Sequence, residues 1–98
     1  MVQACNLNED EIYNLALNLE TLSTAIFYGD WKNPNLEWTI DDICKYAKKM
    51  EDAKCTVGYS LPTKVCMDLK KAIEKKSVKD GLLTISLIAT SLLKELTE

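Results

Sequence analysis

Residues 8–29 read NEDEIYNLALNLETLSTAIFYG, and this stretch decides the fold class. Asn8 followed three residues later by Glu11 has the form of a capping box, in which each side chain satisfies a backbone N–H of the other. Glu9, Asp10 and Glu11 place negative charge where a helix start is positive. Ile12, Leu15, Ala16, Leu19, Leu22 and Ile26 then recur at steps of three and four, a single helical stripe that Leu17 widens. Gly29 supplies the left-handed residue on which helices commonly stop. The pattern predicts a helix over 9–28.

Downstream the same periodicity returns three times. Ile40, Ile43, Cys44, Ala47 and Met50 predict a second helix over 40–55, opened by Thr39 with Asp42 and loaded with lysine in its later turns. Leu61, Val65, Cys66, Leu69, Ala72 and Ile73 predict a third over 61–76, with Pro62 in the first turn, where a missing N–H costs nothing. Leu82 to Leu96 predict a fourth over 81–96, with Asp80 as its cap. Its polar positions are the uncharged Thr84, Ser86, Thr90 and Ser91, so it is either the most buried helix or a contact surface for a second chain. A strand over 83–90 is the alternative, disfavoured because no partner strand is evident and its backbone groups would go unpaired. Residues 1–7 read as an extended or frayed lead-in.

The expected fold is all-α: one domain over 1–98, a compact four-helix bundle running up-down-up-down. One long loop, residues 29–39 between the first and second helices, holds Trp31, Leu36 and Trp38 in this reading. Large aromatics there either cap the end of the bundle or contact a partner.

Composition narrows the chemistry. The 98 residues include no His, and all 12 basic residues are Lys. Ser-His-Asp and Cys-His sites, His-ligated metals and the bidentate arginine fork are therefore excluded from this chain. No catalytic, cofactor-binding or metal-binding residue is assigned, and the chain is not expected to be an enzyme. The net charge is -3 and the pI about 5.0, which gives no overall attraction to nucleic acid or anionic lipid. The charge is uneven, however. Residues 1–28 carry four acids and no base, whereas residues 55–79 carry six lysines against Asp68 and Glu74. Glu9 and Glu11 on one side, and Lys71 and Lys75 on the other, are candidates for steering a partner.

The four cysteines, Cys5, Cys44, Cys55 and Cys66, form no C-x-x-C pair. With a turn near Gly58, Cys66 falls opposite Met50 and out of register with Cys44, so four free buried thiols are expected. No basic start with an apolar run is visible at the beginning of the chain, and no apolar stretch reaches the roughly 20 residues of a membrane span. Cytoplasmic residence without a membrane partner is the resulting expectation.

The functional expectation is a small helical interaction module, such as an inhibitor, immunity-type protein, adaptor or assembly subunit. It docks another protein, or a second copy of itself as a homodimer, through Trp31, Leu36 and Trp38. A thiol-based metal or redox protein using Cys44, Cys55 and Cys66 is the first alternative. A weak nucleic-acid binder working through the lysines of the third helix is the second.

Overall fold

Asn8 caps the first helix as its sequence requires: its side-chain oxygen accepts the Glu11 N–H at 2.9 Å, and the Glu11 carboxylate accepts the Asn8 N–H at 3.2 Å. The computed structural model describes residues 3–97, and the side chains of residues 5–94 within them. Helix α1 spans Glu9–Phe27, α2 Leu36–Asp52, α3 Pro62–Glu74 and α4 Val78–Thr97. The all-α expectation is met, and residues 83–90 are helical. Leu96, counted above into the fourth stripe, lies outside the described side chains.

Helices α1, α2 and α3 end by the same device. At the end of α1 the Asp30 N–H reaches back to the Ala25 carbonyl at 2.8 Å and the Gly29 N–H to that of Ile26 at 3.0 Å, with Gly29 at φ +67°. This Schellman pattern satisfies carbonyls that the helix itself leaves unpaired. Lys54 (φ 62°) and Lys76 (φ 55°) occupy the same left-handed position after α2 and α3. There the chain accepts the cost of a side chain in a region that glycine enters freely.

Two helix starts differ from the sequence expectation. Helix α2 begins at Leu36 rather than at residue 40, because Asn33 makes the entry: its side-chain oxygen accepts the Asn35 N–H at 2.9 Å and its carbonyl the Leu36 N–H at 3.2 Å. Thr39 is thus no cap. It is buried inside the helix, its hydroxyl donating to the Asn35 carbonyl at 2.8 Å. Asp42 instead accepts the Asn18 amide at 2.9 Å, which ties α2 to α1. The loop is accordingly shorter than expected, and Leu36 and Trp38 belong to α2. Helix α4 begins at Val78 because Ser77, not Asp80, is its cap: the Ser77 hydroxyl accepts the Asp80 N–H at 3.2 Å.

Of the lead-in, residues 1 and 2 lie outside the described residues, and residues 3–8 form a hairpin. Strands β1 (Gln3–Ala4) and β2 (Leu7–Asn8) pair antiparallel, with Gln3 opposite Asn8 and Ala4 opposite Leu7. Cys5 and Asn6, at φ 51° and 67°, form the two-residue connection, the double positive φ of a primed hairpin turn. Leu7 is completely buried and joins the core.

The expectation of four free thiols is overturned. Cys5 is disulfide-bonded to Cys55 and Cys44 to Cys66, with Cα separations of 5.7 and 5.6 Å. Cys66 falls level with Cys44 rather than with Met50 because the connection between α2 and α3 is longer than the turn at Gly58 alone. The chain leaves α2 at Asp52, and Val57 and Ser60 exchange hydrogen bonds of 2.9 and 3.1 Å around Gly58 and Tyr59. Four residues into α3, Cys66 lies level with Cys44, eight residues before the end of α2.

Packing follows the stripes. Helix α1 lies against α2 and α4, and α3 against α2 and α4. Leu15, Leu22, Ile26, Ile43, Met50 and Leu69 are all but inaccessible at the centre. At Gly81 the helices α1 and α4 approach so closely that an added Cβ would lie 2.9 Å from Ile26 Cδ1. The radius of gyration, 12.6 Å, is that of a closely packed chain of this length, about 13 Å. Helix α4 buries Ile85, Ile88 and Leu92 but exposes Leu83, Leu87 and Leu93. It is a one-sided helix, not an enclosed one.

Candidate functional site

The connection between α1 and α2 is short and internally braced. The Asn33 amide donates to the Asp30 carboxylate at 3.1 Å, and the Asn33 N–H to the Asp30 carbonyl at 3.2 Å. These turns hold Trp31 half-buried, packed against the core. The indole therefore caps one end of the bundle while leaving part of the ring accessible.

Where Trp31 meets α2 and α3, a groove of about 520 Å³ opens on the surface. Leu36 and Ile40 of α2 and Ile73 of α3 line it together with Trp31 and Pro34. Leu36 and Ile40 are buried in the core and Ile73 half-buried, so the apolar lining is continuous with the interior. Glu37 and Asp41 of α2 and Lys70 and Glu74 of α3 supply the charged lining. Lys70 approaches Asp41 at 4.0 Å, and both side chains are well exposed. Among the described residues, Glu37 and Glu74 have no cationic partner within 4 Å.

The sequence candidates distribute as follows. Trp31 and Leu36 meet in this groove. Trp38, 65% exposed, stands on α2 without lining it. Lys71 and Lys75 line a smaller depression between α3 and α4, shared with Asp68 and Asp80. Glu9 is exposed at the start of α1. Glu11 closes the capping box and pairs with Lys49 of α2. The Lys49 ammonium, and after it the Asn8 N–H, hold the Glu11 carboxyl below its usual value of 4.5.

Cys44, Cys55 and Cys66 do not converge: they belong to two different pairs. Among the described residues no group of three or more potential metal ligands comes together, and no helix is long and apolar enough to cross a membrane.

Sequence reasoning missed the partners of Trp31. Ile40 and Ile73 were visible as members of the α2 and α3 stripes and were read as core. Glu37, Asp41, Lys70 and Glu74 carry no signal of their own until the packing of α2 on α3 sets them around one opening. Tyr59, fully exposed beside Gly58, was likewise read only as turn. Set against known proteins, the chain matches no family model, no curated protein and no solved structure.

Proposed function

We propose that the chain is a small helical interaction module, stapled by two disulfides, that acts by docking another protein at the end of the bundle built by Trp31, Leu36 and Trp38. The observation that carries this reading is the groove of about 520 Å³ with an apolar floor, lined by the half-buried Trp31. Tryptophan in a well-packed, partly accessible setting is the residue type most often dominant at protein interfaces. We read the bundle as up-down-up-down, since α1 packs on α2 and α4 and α3 does the same. No residue is given a catalytic role.

The cytoplasmic expectation now competes with the cysteine pairing. Disulfides persist in oxidising compartments and are rare in the cytosol, so the pairs Cys5–Cys55 and Cys44–Cys66 favour an extracytosolic or otherwise oxidising setting. The same pairing works against a metal or thiol-redox role for Cys44, Cys55 and Cys66. A nucleic-acid role through α3 has less support, because Lys71 and Lys75 share their depression with Asp68 and Asp80. A second copy of the chain is the other partner to be tested.

The test is capture of binding proteins from extracts of the source cells and their medium by immobilised wild type, Trp31→Ala and Trp38→Ala, each checked for helicity by circular dichroism. Capture lost in either folded variant supports docking here, and capture unchanged in both ends this reading. Light scattering on the free protein separates monomer from homodimer.

A further inference from the structure

The groove beside Trp31 is apolar at its base and acidic at its rim, and that combination selects a partner chemistry. Three carboxylates, Glu37, Asp41 and Glu74, stand against the single ammonium of Lys70. Among the described residues, Lys70 pairs only with Asp41, at 4.0 Å. Glu37 and Asp41 are four apart on one helix, where like charges repel. The fold tolerates that repulsion, and an incoming cation would relieve it. An anionic ligand would add to it.

Beneath the rim, Trp31 and Ile73 are half-buried and Leu36 and Ile40 almost wholly so. Such a base receives the aliphatic stem of a long basic side chain. Trp31, half-buried in the groove lining, adds an aromatic surface of the kind that attracts a charged end. Arginine suits this better than lysine: its guanidinium is planar, more weakly hydrated, stacks on aromatic rings and bridges carboxylates in pairs.

We propose that this groove receives an arginine side chain presented by a basic segment of the partner protein. The proposal rests on the docking reading above and names the chemistry of the partner at that same surface. A second copy of this chain is not the occupant, because the sequence contains no arginine.

The test uses isotopically labelled full-length protein and the peptide acetyl-Gly-Leu-Arg-Leu-Gly-amide, with citrulline and lysine versions of the same peptide, followed by NMR. The arginine peptide is expected to move the Trp31 indole N–H and the Ile40 and Ile73 methyl signals saturably. The citrulline peptide, equal in shape but uncharged, should bind roughly tenfold more weakly, and the lysine peptide several-fold more weakly. The double variant Glu37→Gln/Glu74→Gln should lose roughly tenfold in affinity for the arginine peptide. Asp10→Asn/Glu20→Gln changes the net charge equally but lies on α1, and should lose less than about twofold.

Any of four results with the peptides overturns the proposal. These are no saturable shift up to about 1 mM peptide, equal binding of arginine and citrulline, equal binding of arginine and lysine, or equal loss in the two double variants. The docking reading is tested separately: capture unchanged in both Trp31→Ala and Trp38→Ala ends docking, whereas capture that survives Glu37→Gln/Glu74→Gln but not Trp31→Ala keeps docking and removes the arginine.

Discussion

Cys44 on α2 and Cys66 on α3 lie with their Cα atoms 5.6 Å apart, level with each other although their helices begin and end out of step. This bond closes a loop of 22 residues, and Cys5–Cys55 closes one of 50. On the chain-entropy account the two constrain the unfolded state by about 3 and about 4 kcal/mol. For a domain whose total stability is typically about 5–15 kcal/mol, that is a large share. Cys44→Ala/Cys66→Ala should lower the melting temperature by more than about 10 °C, and Cys5→Ala/Cys55→Ala by at least as much. Thiol titration of the native, unreduced protein should find no reactive cysteine. Fully reactive thiols, or melting unchanged by reductant, would refute the pairing.

Lys54 and Lys76 hold left-handed backbone at the ends of α2 and α3, where α1 uses Gly29. Lys76→Gly should therefore stabilise by about 0.5–1 kcal/mol, raising the melting temperature by roughly 4 °C, with Lys54→Gly similar. Gly29→Ala should destabilise by a comparable amount. Thermal denaturation of the three variants checks the sign, and a loss of stability in Lys76→Gly contradicts the Schellman ending.

Leu69 is completely buried between α3 and its neighbours, whereas Leu83 on α4 is 57% exposed. Leu69→Ala should cost about 2–5 kcal/mol by leaving a cavity. Leu83→Ala should change stability by less than about 0.5 kcal/mol. Urea denaturation of both variants measures the difference. Equal costs would mean that the outer face of α4 is covered in solution.

Glu11 carries a pH dependence of known sign. The Lys49 ammonium and the Asn8 N–H hold its folded-state value below the usual 4.5, so its contribution is complete above that value. As pH falls below 4.5 and through the lower folded-state value, the contribution is lost. The pair is partly exposed, so the effect should stay under about 1 kcal/mol. Lys49→Ala should shift the Glu11 titration, followed by NMR, upward. A titration unmoved by that change would place Lys49 away from Glu11 in solution.

Local rules made much of the fold legible. The Asn8–Glu11 box, the stripe from Ile12 to Ile26 and Gly29 specify α1 from contacts no more than five residues apart, which is why its limits were read to within a residue. Pro62 fixed the start of α3 for the same reason. Where two local signals competed, the sequence was ambiguous. Asn33 has turn chemistry and Thr39 the form of a cap, and the helix starts from the turn, at Leu36, with Leu36 and Thr39 both buried. The amphipathic pattern and the absence of His and Arg were thus determined by sequence alone, as were the four-helix class and the chemistries it forbids. The cysteine pairing, the ordered hairpin at Cys5 and Asn6, and the carboxylates gathered around Trp31 were decided by tertiary structure. The Cys44–Cys66 pair and the carboxylates depend on the axial offset between α2 and α3, and that offset is set by how whole side chains interlock across a seam, a quantity no single stretch of sequence contains.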